Sequence, residues 1–444
     1  MVCGAAVPAP TPGAAVIGRL AGLAGRLPGG SDGLAVAIRM GALAIGVGQS
    51  IAIARAGGPE LRGVTAVFNS SCSLIYLLAS FGLAEQAVSM CRQRGDFGPL
   101  RAILRSAWVV YTLVAALVAV VFLWIDSNVS WLAIGALAFL IGNQCFTVIG
   151  AMRGSVANAV ASAVQQSVLL VSVLGLAAAD ALDVPTIKAA LVLSFLVPWP
   201  LYLVWSTASP AVSVRASLTD VLRAVRDGVS WQVARVLQVS VMLIDTILVG
   251  RHLGDADAGV YAVGFSLATM PLLVSTQLAL SVYHRANVYD RHNLGPDLLK
   301  AGAGYAVAYA GVSVVGPFMV TYLYGPAFAG ALPVLWLLGV AGVALSCVQV
   351  SFFFSRVYGR PWPSVAYSVV GPVVVVVGGQ SAMDRFGING MAALVSLACV
   401  LMAVPAVWLA FRDRPKGGGG AALVPGAAEV EEAETWQGRQ FPEL

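Results

Sequence analysis

Ionisable side chains inside long apolar stretches are the residues of this sequence most able to act on a ligand. Arg39, Arg235 and Asp245 lie within such stretches, and Glu85 lies near the end of another. A charge in the hydrocarbon core of a membrane costs at least about 2.5 kcal/mol on insertion scales, so it normally faces a cavity or a partner. We therefore expect these groups to bind a polar ligand, an ion or each other, and pairing with Arg92 or Arg94 is the favoured role of Glu85.

The two arginines, Arg39 and Arg235, occupy equivalent places near one end of their apolar stretches. Two guanidinium groups at one depth would form a cationic pair, and their planar forks suit phosphate oxygens. The alternative is that each side chain snorkels to the membrane interface or bonds a neighbouring carbonyl. The anion-binding interpretation is favoured, and it makes Arg39 and Arg235 the first candidates for substrate binding.

A polar stripe runs along the second of these stretches, where Arg235, Gln238, Met242 and Asp245 share one helix face. The first stretch repeats the stripe in a softer form that ends at Gln49. We therefore add Gln49 and Gln238 to the expected substrate-binding residues. Asp245 lies about 15 Å along the axis from Arg235, which is too far for direct pairing. It is the candidate site for a coupling proton or sodium ion, or it bonds hydroxyls of a neighbouring helix.

Arg55 and Arg251 stand at the outer mouths of the same two stretches, beside His252. They are expected either to receive an anionic group on the far side or to anchor to lipid headgroups. The nearby Asp255-Ala256-Asp257 spells the D-x-D of metal-dependent glycosyltransferases. However, the outer loops are too short for a catalytic lobe, so a turn at a helix entry is the favoured interpretation.

Enzymatic chemistry has no visible basis in the sequence. It contains no zinc-ligand spacing, phosphate-binding glycine loop or Ser/His/Asp set, and its three histidines all lie between apolar stretches. We therefore predict a protein that is not an enzyme, with no metal and no cofactor.

The elements that position these residues must be membrane helices. The chain is 59% hydrophobic and 11% charged, whereas an ordinary soluble domain is roughly 25% charged. Apolar stretches of about 20 residues recur along it, and they lack the alternation of barrel strands. We predict an all-α polytopic fold with twelve spans. The predicted spans are residues 34–55, 64–89, 107–125, 131–151, 158–178, 185–206, 229–250, 258–283, 301–323, 327–355, 362–379 and 388–411.

Basic residues orient the chain. With the amino terminus in the cytosol, most Lys and Arg residues beside the spans are cytosolic, as the positive-inside rule requires. The predicted outer residues are Arg55, Arg62, Lys188, Arg251 and Arg385. We therefore predict a multi-pass protein of the cell membrane with both termini cytosolic. Residues 1–33 and 412–444 are predicted to be disordered tails, and residues 207–228 to be a cytosolic linker with an amphipathic helix.

An internal repeat divides the spans into bundles at residues 34–206 and 229–411. Shifting the sequence by 196 residues aligns 39–67 with 235–263 without a gap. Since an even number of spans separates the copies, the halves run parallel about an axis along the membrane normal, with the site between them. The identical pairs are Arg39/Arg235, Ile51/Ile247, Arg55/Arg251, Gly58/Gly254, Gly63/Gly259, Val64/Val260, Ala66/Ala262 and Val67/Val263.

Four segments carry a family resemblance: Asp245 to Ala262 with its weaker copy at 49–66, Tyr324 to Phe328, Tyr358 to Arg360, and Phe386 to Gly390. In this order and spacing they resemble the Wzx-type oligosaccharide flippases of the multidrug/oligosaccharidyl-lipid/polysaccharide (MOP) exporter superfamily. The resemblance covers roughly residues 34–411.

The resemblance implies two six-helix bundles around a central cationic cavity. It further implies transfer of an undecaprenyl pyrophosphate-linked oligosaccharide to the outer leaflet by alternating access, for surface polysaccharide biosynthesis. The partners it implies are the lipid-linked oligosaccharide, membrane lipids and a polysaccharide polymerase or other assembly proteins.

Two other functions stay open. The first is a cation-coupled multidrug exporter of the same superfamily, for which acidic rather than arginine-lined cavities are expected. The second is a polyprenyl-phosphate-dependent membrane glycosyltransferase or polymerase, which would act on a lipid-linked sugar without transport. No feature of the sequence indicates a nucleic-acid partner.

Overall fold

The structure is a computed structural model that describes residues 30–80, 82, 108, 111–113, 115–117, 127–207, 218–273, 275–276, 294–357 and 361–412. In these ranges the regular elements are all helices. They are α1 (Gly30–Ala79), α2 (Ser127–Ala178), α3 (Val184–Leu196), α4 (Pro198–Thr207), α5 (Leu218–His252), α6 (Asp255–Thr269), α7 (Leu294–Phe318), a π-helix (Met319–Tyr324), a 3-10 turn (Pro326–Phe328), α8 (Ala331–Val357), α9 (Pro361–Ser368) and α10 (Val370–Arg412).

Three of the longest helices are hairpins rather than straight rods. α1 and α10 are broken at Gly58 (φ 68°) and Gly387 (φ 58°), where the positive φ favours glycine. In α2, Asn158 Nδ2 donates to the carbonyl oxygen of Phe146 at 3.1 Å. A straight helix would place residues twelve positions apart about 18 Å from each other. The chain therefore reverses between the two arms of α2, which we call the first and second arm in chain order.

The turns of the two halves repeat each other. Gly58 separates the arms of α1, and its repeat mate Gly254 (φ 98°) separates α5 from α6. Each positive-φ glycine is followed at once by a helix, which begins with Pro59 in the first half and with Asp255 in the second. The first arm of α1 therefore corresponds to α5, and the second arm to α6.

The described part of the chain contains eight helical segments long and apolar enough to span a membrane. Two of them, Leu34–Ala79 and Pro361–Arg412, contain the turns at Gly58 and Gly387, so each accounts for two predicted spans. One packed core lies in the first half and surrounds Ile187, Leu191 and Phe195 of α3. Another surrounds Tyr261 and Val395 of the second half and also takes in Ala54 of α1.

Several predicted segments lie wholly or largely outside the described residues. These are both tails apart from the helix ends at Gly30 and Arg412, most of the span at 107–125, the end of the span at 258–283, Glu85, and the Tyr358 to Arg360 segment. In the predicted linker, 208–217 is outside the described residues, and α5 begins at Leu218 and continues into the seventh span without a break.

Candidate substrate cavity

A cavity of about 330 Å³ lies between the two halves, enclosed by α1, α2 and α3 on one side and by α5 and α6 on the other. Repeat mates contribute to its wall from both halves, so the cavity lies on the axis that relates them. These mates are Gly46 and Met242, Val47 and Leu243, Ser50 and Thr246, Ala66 and Ala262, Asn69 and Phe265, and Ser70 and Ser266.

The wall of this cavity offers hydrogen-bonding groups without negative charge. Among the residues that line it, Arg62 is the one charged residue, and neither Asp nor Glu is present. Four amide side chains and several hydroxyls complete the polar lining. Such a surface can hydrogen-bond a hydroxyl-rich ligand and attract an anion. The amides belong to Gln49, Asn69, Gln165 and Gln166, and the hydroxyls to Ser50, Thr65, Ser70, Ser194, Thr246, Ser266 and Thr269.

Arg62 breaks the symmetry of the cavity. Its Nε donates to Ser50 Oγ at 3.0 Å, and the Tyr324 hydroxyl donates to the same oxygen at 3.2 Å. The repeat mate of Arg62 is Ala258, which is fully buried and carries no charge. The cationic side of the cavity therefore belongs to the first half alone.

Arg62 is predicted to be an outer-loop arginine, but it lies in the cavity wall instead. The second arm of α1 begins directly after Gly58, so Arg62 lies in its first turns and faces inward. Pro59 was the available signal, because proline is favoured in the first turn of a helix.

Gln49 is the predicted substrate-binding residue that does line the cavity. Its Nε2 donates to Gln166 Oε1 at 2.8 Å, which joins α1 to the second arm of α2. Its own Oε1 is buried and has no hydrogen-bond partner among the described residues. An orphaned buried acceptor is costly, so this oxygen is ready to accept a hydrogen bond from a ligand.

Arg39 and Arg235 are not in the cavity wall and lie nearer to the amino-terminal ends of their helices. Each is half-buried and precedes the first lining residue of its helix, Gly46 or Met242, by seven residues, about 10 Å along the axis. Gln238 is buried in the same helix as Arg235 and is not among the lining residues. A phosphate-binding role for the two arginines stays a prediction.

Asp245 is fully buried beside the cavity. The Tyr261 hydroxyl donates to its Oδ2 at 2.6 Å, and the Thr246 backbone N–H donates to its Oδ1 at 2.5 Å. Thr246, the next residue, lines the cavity. A coupling role for Asp245 also stays a prediction, and the hydrogen bond with Tyr261 is the geometry on which to test it.

The two halves are also in contact at the ends that carry Arg55 and Arg251, which are predicted to face outward. Arg55 Nε donates to the carbonyl oxygen of Leu323 at 2.7 Å, and its Nη2 donates to that of Tyr322, at the end of the π-helix. The repeat mate Arg251 is exposed at the end of α5. Next to it, His252 Nε2 lies 2.7 Å from Asp384 Oδ1 at the turn of α10. Anion binding by Arg55 and Arg251 stays a prediction.

The acidic pair Asp255 and Asp257 occupies the first turn of α6, where carboxylates interact favourably with the helix dipole. Gly254 is the N-cap residue, and no side chain caps the helix by a hydrogen bond. This placement agrees with a turn at a helix entry. Among the described residues, no group of three or more metal-ligating side chains is present.

Known proteins match this chain by structure alone, at low sequence identity. No protein-family model matches the sequence. No curated protein matches it either. An inward-facing multidrug resistance MATE family transporter of the MOP superfamily is similar with a TM-score of 0.65 and 13% identity, over 85% of this chain and 97% of that one. A Vibrio cholerae MATE transporter is similar with a TM-score of 0.61 and 13% identity, over 90% and 97%.

A third similar structure is a MOP superfamily transporter from Pyrococcus furiosus, described as having a binding pocket of reverse polarity that suggests a different function. Its TM-score is 0.53 at 13% identity, over 85% of this chain and 95% of that one. The predicted fold class is confirmed: the described residues have the all-helical fold of these transporter structures, with the cavity between the two halves.

Proposed function

We propose that this protein is a flippase that moves a polyprenyl (undecaprenyl) pyrophosphate-linked oligosaccharide across the membrane by alternating access. The observation that carries the proposal is the composition of the cavity wall, with one guanidinium, four amides, several hydroxyls and no carboxylate among its lining residues. A pyrophosphate needs a cation in a site of low dielectric constant, and a sugar needs hydrogen-bonding groups.

Arg62 is the residue that we propose to hold the anionic head, and Gln49 offers an unpaired acceptor to a sugar hydroxyl. Arg39 and Arg235 would receive the pyrophosphate below the cavity, before it reaches Arg62. This order follows from the separation of about 10 Å between the lower arginines and the lowest lining residues. The roles of Arg62 and Gln49 in the cavity, and of Arg39 and Arg235 outside it, are all part of the proposal.

A multidrug exporter is the second candidate, since similar structures are MATE transporters that include a multidrug resistance protein. A cationic drug would meet Arg62 as a like charge, and no carboxylate among the lining residues would attract it. The description of the Pyrococcus furiosus protein ties a change in pocket polarity to a change in function. By the same reasoning, the polarity of this cavity favours an anionic substrate.

The test is transport in proteoliposomes of a fluorescent undecaprenyl pyrophosphate-linked disaccharide, with ethidium as the cationic comparison. We expect Arg62→Gln to slow lipid transport by roughly 10- to 100-fold, because a hydrogen bond to a charged group contributes about 1.5–3 kcal/mol. Arg62→Lys should retain part of the activity. The matched control is Arg385→Gln, since Arg385 is exposed and absent from the cavity wall.

Arg39→Ala and Arg235→Ala should abolish surface glycan in cells while the protein stays in the membrane, with the lipid-linked oligosaccharide accumulating in the inner leaflet. Mass analysis of the undecaprenyl-linked species after deletion of the gene would identify the glycan. Transport of ethidium but not of the lipid would support the multidrug exporter. A new glycosidic product without transport would support the glycosyltransferase.

A further inference from the structure

A second cavity, which we call the flank groove, lies on the side of the first half. It has a volume of about 490 Å³ and runs between the first arm of α1, at Ile38, and the second arm of α2, from Val160 to Ser172. Its valines at positions 160, 164, 168 and 171 share one helix face. This groove is not part of the substrate cavity described above.

Apolar side chains line most of the flank groove, and its hydroxyl groups are already hydrogen-bonded within their own helix. It contains two hydroxyls, and each already donates to its own helix: Ser167 Oγ to the Ala163 carbonyl at 2.9 Å, and Ser172 Oγ to the Val168 carbonyl at 2.8 Å. No donor therefore remains for a polar ligand along this wall. From Val160 to Val171 the groove extends about 16 Å, close to the hydrocarbon thickness of one leaflet, about 15 Å.

A single helix separates the flank groove from the substrate cavity. The second arm of α2 presents its valines to the groove and presents Gln165, Gln166 and Leu169 to the cavity. On the α1 side, the hydrogen bond from Gln49 to Gln166 closes the gap. Gly46 has no side chain, which lets Gln166 approach α1 closely: a Cβ at Gly46 would lie 3.6 Å from Gln166 Oε1.

The amide pair can open at little cost. When the Gln49 to Gln166 hydrogen bond breaks, each amide can bond a hydroxyl or phosphate oxygen of an entering head group instead, so polar partners are exchanged rather than lost. Gln49 Oε1 already lacks a partner among the described residues. The adjacent Gly48 has open space where a Cβ would stand, so α1 presents little bulk beside this gap.

We propose that the flank groove holds the hydrocarbon chain of the lipid substrate while its anionic head lies in the substrate cavity, and that the Gln49–Gln166 pair is the lateral gate between them. This inference rests on the proposed function, because it requires an amphiphilic substrate. The hydrocarbon chain of the lipid remains in an apolar environment, and its head contacts the amides and Arg62. Entry therefore exposes neither the hydrocarbon to water nor the head to hydrocarbon.

The first experiment measures occupancy and does not depend on transport. A benzophenone amino acid is placed at Val164, in the groove, or at Leu174, which is exposed on the same arm outside it. Both variants are reconstituted with a small mole fraction of undecaprenyl phosphate in phospholipid. We expect the prenyl adduct at position 164 to exceed its mole fraction by about tenfold, which corresponds to a preference of about 1.4 kcal/mol for the prenyl chain over a phospholipid acyl chain in the groove. Position 174 should label in proportion to the lipid composition.

The second experiment measures transport with two chain lengths. Val164→Trp fills the groove, and Leu174→Trp is the matched control. The substrates are one pyrophosphate-linked disaccharide on an undecaprenyl chain and the same head on a citronellyl chain, which is too short to use the whole groove. Val164→Trp should slow the long-chain form by about tenfold and leave the short-chain form at the wild-type rate, whereas Leu174→Trp should change neither.

The two experiments separate the failure of the groove from the failure of the proposed function. Proportional labelling at both positions would mean that ordinary membrane lipid covers the groove, and the inference would be overturned even if transport is robust. An equal loss for both chain lengths would also overturn it. If labelling at position 164 is enriched but the wild-type protein does not transport the lipid, the groove is a prenyl-binding site and the proposed flippase function is wrong.

Discussion

Gly63 and Gly259, which are repeat mates, face each other across the axis that relates the two halves. A Cβ on Gly63 would lie 1.7 Å from the Asp255 carbonyl oxygen, and a Cβ on Gly259 would lie 1.9 Å from the Pro59 carbonyl oxygen. Each Cβ would also come within 3.0 Å of the other glycine's backbone nitrogen. Because small residues let helix backbones approach closely, these two positions hold together the predicted outer ends of the halves.

Gly63→Ala should therefore open the outer side of the protein. The added methyl meets backbone rather than a flexible side chain, and overpacking of this kind costs about 1–3 kcal/mol, a shift of roughly 5- to 150-fold in the equilibrium between closed and open states. The measurement is the rate at which an impermeant maleimide labels a cysteine at Ser266, in the cavity wall, in a background without the native cysteines.

Gly259→Ala should have the same effect, since the contact is symmetric. Gly41→Ala is the control, because nothing lies within 4 Å of a Cβ at that position. Unchanged labelling in both interface variants would show that the contact between the two glycines does not keep the outer side closed.

Arg55 is expected to hold the same side closed through its bonds to the π-helix. Arg55→Gln removes the guanidinium that contacts the carbonyls of Tyr322 and Leu323. For an exposed group we expect a loss of about 1 kcal/mol, a roughly fivefold increase in labelling at Ser266→Cys. Arg251→Gln is the matched variant in the other half, and an equal increase there would point to lipid anchoring by both arginines instead.

Asp245 and Tyr261 allow a coupling role to be separated from a structural one. If Asp245 carries the coupling ion, Asp245→Asn should lose transport driven by a proton or sodium gradient and should retain exchange without a gradient. Tyr261→Phe leaves Asp245 Oδ2 without its donor, which costs about 1–3 kcal/mol in stability. A lower melting temperature of Asp245→Asn with gradient-driven transport intact would contradict the coupling role.

Protonation of Asp255 is expected to make the population of the closed state depend on the outer pH. Burial raises the pKa of Asp255, and Glu60 raises it further, whereas Lys188 opposes the shift. Opening the interface exposes Asp255 and removes this shift, so the closed state binds the proton more tightly. Lowering the outer pH through the raised pKa should therefore favour the closed state and slow maleimide labelling, and raising it should speed labelling.

Asp255→Asn should remove this pH dependence and keep labelling slow throughout, because the amide mimics the protonated acid. Asp257→Asn is the control in the same helical turn, where the side chain is exposed. A pH dependence that survives in Asp255→Asn would assign the effect to another group, and Glu60 would be the next to test.

The fold and part of the site follow from the sequence for simple physical reasons. Apolar stretches of bilayer length must form helices, since backbone polar groups find no partners in lipid. The aligned pairs predict an axis between the halves, and the structure places the glycine pair on it and lines the cavity with further mates such as Ser50 and Thr246. Gln49 is predicted from helical spacing together with the internal repeat of the polar stripe.

Only the tertiary structure decided which cation lines the cavity and where hydrocarbon can lie. From sequence alone, Arg62 is predicted to lie in a loop. Its place near Ser50 and Tyr324 depends on how the two arms of α1 fold together at Gly58, which the sequence does not specify. The flank groove likewise depends on the distance between α1 and α2, residues more than a hundred positions apart. Helical periodicity determines which residues share a face, but the packing of helices determines what that face meets.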